Sequence, residues 1–247
     1  MKNRIKKYLV GLLLAIPLTI GSNLANAALI KTALGIVIDG SGSISSADFA
    51  TQVAAYGAVF GDASIVKADG SVVVNVIQFS SGTILEQTAI RLNDETDRAT
   101  LLASIASMSQ PNSATNIGGG VALSQSDMDA YLAGFAATDF ALDFTKLIDV
   151  STDGAHNTGT DPTAATTSAL AAGYSAVNCL GIGASANCGW NLTGLDFVAT
   201  TFAEVEAVLK IKVGTELGTI DVPEPATLFL LGLGLFGITT ARYSRKA

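Results

Sequence analysis

Short apolar runs recur along the chain between Ala33 and Ala184, separated by longer segments of mixed character. They predict strands at residues 33–39, 71–79, 82–90, 146–154 and 176–184. Near-continuous Val and Ile runs, rather than strict alternation with polar residues, are typical of strands buried on both faces of a parallel sheet. The pattern therefore favours a sheet with helices on both sides.

The segments between these strands have apolar residues at helical spacing. Ser45-x-x-Asp48 predicts a capping box at the start of the first helix. That helix then places four apolar residues on one face: Phe49, Val53, Tyr56 and Phe60. Further helices are predicted at residues 93–108, 121–132, 162–175 and 201–213. The alternation predicts an α/β fold, with a doubly wound, mostly parallel sheet flanked by helices.

The N-terminal segment has the organisation of a secretory signal peptide. Basic residues precede an apolar run from Leu9 to Ile20, and Ala25-Asn26-Ala27 matches a small-x-small cleavage site. Residues 1–27 are therefore expected to be removed on export. An uncleaved membrane anchor is the alternative, although the apolar run is shorter than a spanning helix needs.

The C-terminal segment, residues 223–247, combines a motif, an apolar stretch and a basic end. Pro223-Glu224-Pro225 precedes the apolar residues 226–241, which are followed by Arg242, Arg245 and Lys246. This pattern resembles the PEP-CTERM sorting signal of Gram-negative bacteria. The resemblance implies transient membrane insertion through the tail, cleavage by an exosortase-type protease, and a final location in the envelope, at the cell surface or in the extracellular matrix. A plain C-terminal anchor is the alternative.

The two ends define the remaining organisation. Residues 28–218 form the predicted globular domain, and residues 219–222 form a short linker. The chain between the ends has seven basic and 20 acidic residues, a formal charge of −13. This charge argues against nucleic acid as a partner and is compatible with divalent cations.

Cys179 and Cys188 are the two cysteines of the chain. In an exported protein, two closely spaced cysteines predict a disulfide, with two free thiols as the alternative. Together with His156, the single histidine, they provide too few ligands for a structural zinc site.

Polar side chains follow the predicted strands at the points where the strands end. Asp39, Ser41 and Ser43 follow the first strand, Thr115 opens a helix in a connecting loop, and Asp153 ends a later strand. In a doubly wound sheet such loops meet at one edge. Two carboxylates and three hydroxyls are hard oxygen ligands, so the set predicts a site for Mg²⁺, with Mn²⁺ or Ca²⁺ as alternatives.

The same residues resemble the von Willebrand factor type A family and its metal-ion-dependent adhesion site. That site has an Asp-x-Ser-x-Ser after the first strand and a distant Thr and Asp, which Asp39 to Ser43, Thr115 and Asp153 match in order. The resemblance covers residues 33–217 and implies a Rossmann-like fold. Ser113 and Thr158 are nearby alternatives to Thr115.

The resemblance also implies a function. In the family the two serines usually bind the ion directly, the Thr and Asp residues bind directly or through water, and an acidic group of the partner completes the coordination. The chain is therefore expected to be a secreted or envelope-associated adhesion-type protein rather than an enzyme. It would capture a carboxylate of a protein or matrix ligand in a cation-dependent manner.

Other interpretations of the same residues stay open at this stage. Asp39 and the serines fit a helix cap, and His156 with Asp153 fits a hydrolase that uses Ser41 or Ser43 as nucleophile. A structural matrix protein with a purely stabilising metal is a third. Gly118-Gly119-Gly120 favours a flexible helix start over a phosphate site, because no Gly-Lys-Ser/Thr follows. Trp190 and Asn191 are either packed or exposed to a partner.

The sorting signal generates a prediction about the mature protein. Protein from the native host should lack the residues after about Pro225, because the exosortase is expected to cut near the Pro-Glu-Pro motif. Expression in a host without an exosortase should leave the tail attached. Intact mass spectrometry decides between the two forms, and Ala247 on native mature protein would contradict the processing.

Overall fold

The computed structural model describes residues 28–220. The predicted signal peptide, the sorting motif and the apolar tail lie outside the described residues. Within this range the strands are β1 (Ile30–Asp39), β2 (Val72–Phe79), β3 (Thr83–Arg91), β4 (Phe140–Thr152), β5 (Ala176–Ile182) and β6 (Asp196–Ala199). The helices are α1 (Ser46–Gly61), α2 (Glu95–Ala106), α3 (Ile117–Leu132), α4 (Pro162–Ala171) and α5 (Val205–Glu216). None of them is long and apolar enough to cross a membrane.

The six strands form one sheet in the order β3-β2-β1-β4-β5-β6. β3 runs antiparallel to β2, and the other neighbours are parallel. The predicted mostly parallel α/β sheet is therefore confirmed. The order reverses at β1, which pairs with β2 on one side and β4 on the other. This is the position at which open α/β sheets bind ligands, outside the carboxyl ends of the strands.

Two strands differ most from the sequence-based expectation. β6 was not predicted, because its apolar run, Phe197 to Ala199, has three residues and is shorter than the runs that indicate a strand. β4 begins at Phe140 rather than at Lys146, and its first half is exposed or half-buried. Pairing with a neighbouring strand, rather than burial, defines these segments, and pairing leaves no periodic signal in the sequence.

Buried side chains of β1 point into both helix layers. Ile36 and Ile38 pack in the core that includes α1, α2 and α5, whereas Val37 packs in the core that includes α3 and α4. Burial on both faces explains the continuous apolar run, and it fixes the end of β1 at the centre of the domain.

The three glycines of α3 lie in its first turn, because α3 starts at Ile117. A Cβ on Gly120 would lie 2.6 Å from Val37 Cγ1 on β1. The expected helix start at these glycines is therefore confirmed, and at Gly120 the missing side chain lets the helix approach the sheet closely.

A buried ionic cluster joins α5 to the sheet. Lys212 Nζ lies 2.7 Å from Asp149 Oδ1 and 2.6 Å from Glu216 Oε1, and Asn178 donates a hydrogen bond to Glu216. The Tyr56 hydroxyl of α1 is buried nearby and adds no charge. Two carboxylates face one ammonium group, and burial raises the pKa of Glu216 to about 7 despite its attraction to Lys212. Burial raises the pKa of Asp149 as well.

This cluster predicts a pH-dependent stability. Glu216 has a folded-state pKa of about 7 against an ordinary value of 4.5, so the folded state binds more protons between these values. The free energy of unfolding should therefore fall as the pH rises toward 7, by on the order of 3 kcal/mol in total. Glu216→Gln should flatten the denaturant-derived stability curve between about pH 5 and 7.

The matched control is Glu206→Gln, on the same helix but at the surface, where Glu206 pairs with Lys210. It should leave the slope unchanged. If Glu216→Gln has the wild-type slope in this interval, the proton is not bound at the cluster.

Candidate metal centre

Asp39, the last residue of β1, is fully buried at the centre of the sheet edge. Its Oδ1 accepts a hydrogen bond from the Ser41 backbone N–H at 2.8 Å, and its Oδ2 accepts one from Thr152 Oγ1 at 2.7 Å. Its carbonyl oxygen accepts a hydrogen bond from Gln52 Nε2 at 2.9 Å. The carboxylate is therefore held in one orientation by β4 and by its own loop, while α1 holds its backbone.

A chain of short contacts extends from Asp39 to the surface. Ser41 Oγ and Ser43 Oγ lie 3.0 Å apart, and Ser43 Oγ donates to Asp153 Oδ1 at 2.6 Å. Ser41 is buried, Ser43 is exposed and Asp153 is half-buried. The structure thus brings four of the five predicted ligand residues together in one connected group that opens to solvent at Ser43.

Thr115 lies in the loop before α3 and is 4 % exposed. Its N–H donates to Asn157 Oδ1 at 2.9 Å, and its carbonyl oxygen accepts from the Asn157 N–H at 3.0 Å. The same loop contacts the serine segment, because the Gly42 N–H donates to the Ser113 carbonyl at 2.7 Å. Among the hydrogen bonds of residues 28–220, none joins the Thr115 hydroxyl to the other four ligand residues, so its role stays a prediction.

The site carries two carboxylates without a basic partner. No Lys, Arg or His of residues 28–220 forms an ion pair with Asp39 or Asp153. Burial raises the pKa of Asp39 to about 6. The hydrogen bonds from Ser41 and Thr152 act in the opposite direction and lower this pKa, whereas the charge of nearby Asp153 adds to the increase. Burial also raises the pKa of Asp153.

These observations fit a hard divalent cation. An uncompensated pair of carboxylates next to serine hydroxyls provides negative charge and oxygen donors, as Mg²⁺, Mn²⁺ and Ca²⁺ prefer. Within the described range no group of three or more His, Cys, Asp or Glu side chains could hold a metal ion. The centre therefore depends on the hydroxyls as well as on the two acids.

Three residues that position the site were not identified from the sequence. Thr152 orients Asp39, Gln52 binds the Asp39 carbonyl, and Asn157 fixes the Thr115 backbone. One signal was present for Gln52: it is a polar residue among the core-facing positions of α1, where it is fully buried. Thr152 ends β4 and Asn157 lies in the loop after it, and both belong to a polar stretch of sequence in which only the folded contacts distinguish them from their neighbours.

The helix-cap interpretation applies to Ser45, not to Asp39. Ser45 is the N-cap of α1, and its Oγ accepts from the Asp48 N–H at 3.2 Å and donates to Asp48 Oδ2 at 2.7 Å. The predicted cap is thus formed two residues after Ser43, the last predicted ligand of this loop. Asp39 instead binds the backbone of its own loop and β4.

The hydrolase arrangement is not assembled in this structure. Ser43 contacts Ser41 and Asp153, and among residues 28–220 no hydrogen bond joins His156 to either serine or to Asp153. His156 Nδ1 is buried and has no hydrogen-bond partner within the same range.

The loop after β5 is tied back to the sheet. Cys179 and Cys188 form a disulfide with a Cα–Cα distance of 5.8 Å. Trp190 is 5 % exposed and its Nε1 donates to the Asn187 carbonyl, and Asn191 is equally buried. Of the two interpretations of Trp190 and Asn191, the packed one is therefore correct.

Comparisons with known proteins agree with this fold. The family model of the von Willebrand factor type A domain matches residues 34–189, and the model of the PEP-CTERM protein-sorting motif matches residues 221–246. The sorting motif indicates export to the envelope of a Gram-negative bacterium and processing by an exosortase. A comparison with curated protein sequences gives no significant match.

Solved structures with the same fold come from a mussel and from bacteria. Proximal thread matrix protein 1 from the mussel byssus is 20% identical, with a TM-score of 0.60, and the match covers 75% of this chain and 48% of that one. A second structure of that protein, with a zinc-occupied MIDAS motif, has the same identity and coverage and a TM-score of 0.57.

The pilus adhesin SpaC from Lactobacillus rhamnosus GG is 14% identical, with a TM-score of 0.58, over 76% of this chain and 30% of that one. This chain therefore spans about half of the mussel protein and less of the adhesin. At these identities the structures support the fold alone. The family model, by contrast, matches well over half of the sequence, and the chain belongs to the von Willebrand factor type A domain family.

Proposed function

We propose that the chain is an exported, non-enzymatic binding protein that captures an acidic group of a protein or matrix partner through a divalent cation. The cation is Mg²⁺ in this proposal, with Mn²⁺ or Ca²⁺ as alternatives. Asp39, Ser41, Ser43, Thr115 and Asp153 would hold it. The PEP-CTERM motif adds an exosortase as processing partner and the envelope, cell surface or matrix as destination.

One observation carries this proposal: two carboxylates, one of them fully buried, lie within a connected oxygen network without a basic partner in the described residues. Burying an unpaired charge is costly, and a divalent cation compensates for it. A cation with two carboxylate ligands has a formal charge near zero, so a carboxylate of the partner could approach without strong repulsion. When bound, the cation supplies a Lewis-acidic position for that carboxylate.

The residues of the proposed centre contribute different properties. Ser41 and Ser43 offer hydroxyl oxygens, Asp153 offers a half-exposed carboxylate, and Asp39 supplies buried negative charge held in place by Thr152. Domains of this family are mostly binding modules rather than enzymes. The names of two structural neighbours, an adhesin and a matrix protein, also favour a binding role over an enzymatic one.

The matrix protein among the neighbours also favours a second candidate function, in which the metal only stabilises a structural protein. The two candidates differ in their response to EDTA. Loss of partner binding at a temperature where the chain stays folded supports metal-bridged capture, whereas retained binding supports the structural role.

The first prediction concerns the cation. Mg²⁺ at about 100 times its Kd should stabilise the folded state by about 2.7 kcal/mol, which corresponds to roughly 5 to 11 °C in Tm for a chain of this size. EDTA should reverse the gain, and Asp39→Ala should abolish it. The control is Ser45→Ala, which removes the helix cap and should cost about 1 kcal/mol with or without Mg²⁺. A full wild-type shift in Asp39→Ala would place the ion elsewhere.

The second prediction concerns the metal-free protein. Burial raises the Asp39 pKa from 3.8 to about 6, so its ionised form destabilises the fold as the pH rises through this window. The cost at neutral pH is on the order of 3 kcal/mol. Asp39→Asn, which keeps an acceptor for the Ser41 N–H, should therefore be more stable than wild type in EDTA at neutral pH.

Saturating Mg²⁺ should reverse this ranking, because only the wild type retains the carboxylate that the ion needs. Thermal melts of both proteins in EDTA and in Mg²⁺ provide the measurement. A variant less stable than wild type in both conditions would mean that Asp39 acts as a structural hydrogen-bonding group.

A further inference from the structure

A cavity of about 290 Å³ lies beside the candidate metal centre, on the β5–β6 side of the sheet edge. Ser43 and Asp153 form its wall toward the centre. Residues 182–185, at the end of β5, and residues 200–202, after β6, form the remaining walls together with Gly154. The cavity is therefore continuous with two of the predicted metal ligands.

The lining of this cavity is largely uncharged. Its apolar part comes from Ile182, Ala184 and Phe202, and hydroxyls of Ser185 and Thr201 lie in the same lining. Asp153 is the one charged side chain among the described residues that line it. Asp153 already accepts a hydrogen bond from Ser43 and is a ligand in the proposed centre. The cavity thus has little charge to attract a basic group, and the partner carboxylate already bound at the centre would repel a second acidic one.

The walls are held in place by covalent and hydrogen-bonded contacts. The disulfide joins Cys188 to Cys179 in β5, and the Asn187 N–H donates to the Gly154 carbonyl at 3.2 Å. Thr200 donates through its N–H and its hydroxyl to Glu204 Oε2 at 2.8 and 2.7 Å. These contacts restrain the loops on both sides, so the cavity is formed without a partner.

We propose that this cavity is a subsite for an apolar side chain of the partner, one or two residues from the carboxylate that binds at the metal centre. The inference rests on the proposed function and specifies its ligand as an acidic residue next to an aliphatic or aromatic one. Neighbouring residues of an extended chain are about 3.3 Å apart, so a side chain this close in sequence reaches a cavity that shares Ser43 and Asp153 with the centre. Burial of one such side chain corresponds to a gain in affinity of roughly ten- to a hundredfold.

The test uses the full chain and a synthetic library of five-residue peptides with a fixed central Glu and varied neighbours. Binding is measured in Mg²⁺ and in EDTA. Peptides with Leu, Ile, Met or Phe at one neighbouring position should bind in Mg²⁺ at least about tenfold more tightly than those with Gly, Asp or Lys there.

Ala184→Glu adds a carboxylate to an exposed position of the cavity wall. It should remove this preference while leaving the Mg²⁺-induced shift in Tm intact. The matched control is Ala58→Glu, an exposed position of α1 about 18 Å along the helix from its N-terminus. It should change neither property.

The outcomes separate the two proposals. Mg²⁺-dependent binding without an apolar preference, with a preference for Lys, or with no effect of Ala184→Glu would overturn the subsite and leave the proposed function standing. Peptide binding that is equal in EDTA, or no binding in Mg²⁺, would overturn the proposed function and the subsite with it.

Discussion

The architecture of the site depends on one buried charge, the carboxylate of Asp39 at the end of the central strand. Burial on both faces of β1 places this group where water is excluded, and the surrounding contacts are hydrogen bonds from Ser41 and Thr152 rather than an ion pair. Hydrogen bonds orient a carboxylate but do not cancel its charge. The metal-free domain therefore carries a local electrostatic cost, which a bound cation would relieve.

The other buried acids of the domain show the contrast. Asp149 and Glu216 lie in the core beside Lys212, which contacts both of them within 2.7 Å. That cluster is mostly compensated by the chain itself, with a proton to balance the remaining charge near neutrality. At Asp39 and Asp153 the described chain provides no base. The Lys212 cluster therefore holds α5 on the sheet, whereas the unpaired Asp39 and Asp153 are suited to bind an external cation.

The sheet order explains why the candidate centre and the neighbouring cavity are continuous. β1, β4, β5 and β6 are adjacent and parallel, so the loops after them meet at a single edge. Ser43 follows β1, Asp153 follows β4, and residues 183–185 and 200–202 follow β5 and β6. The disulfide and the Thr200–Glu204 contacts then fix the outer loops, which gives the site a restrained wall beside its acidic centre.

The sequence by itself determined the fold class and identified four residues that the structure brings together at the candidate centre. Long Val and Ile runs report burial on both faces, and the spacing of Asp39, Ser41 and Ser43 after such a run identifies a loop at the sheet edge. What only the tertiary structure decided are the contacts between distant segments. Thr152 and Gln52 hold Asp39 in place, and Lys212 compensates the charge of Asp149. These partners are far apart in the sequence, so their contacts leave no periodic pattern in it. β6 and the cavity beside the centre likewise arise from strand pairing and loop packing, which are properties of neighbours in space rather than of neighbours along the chain.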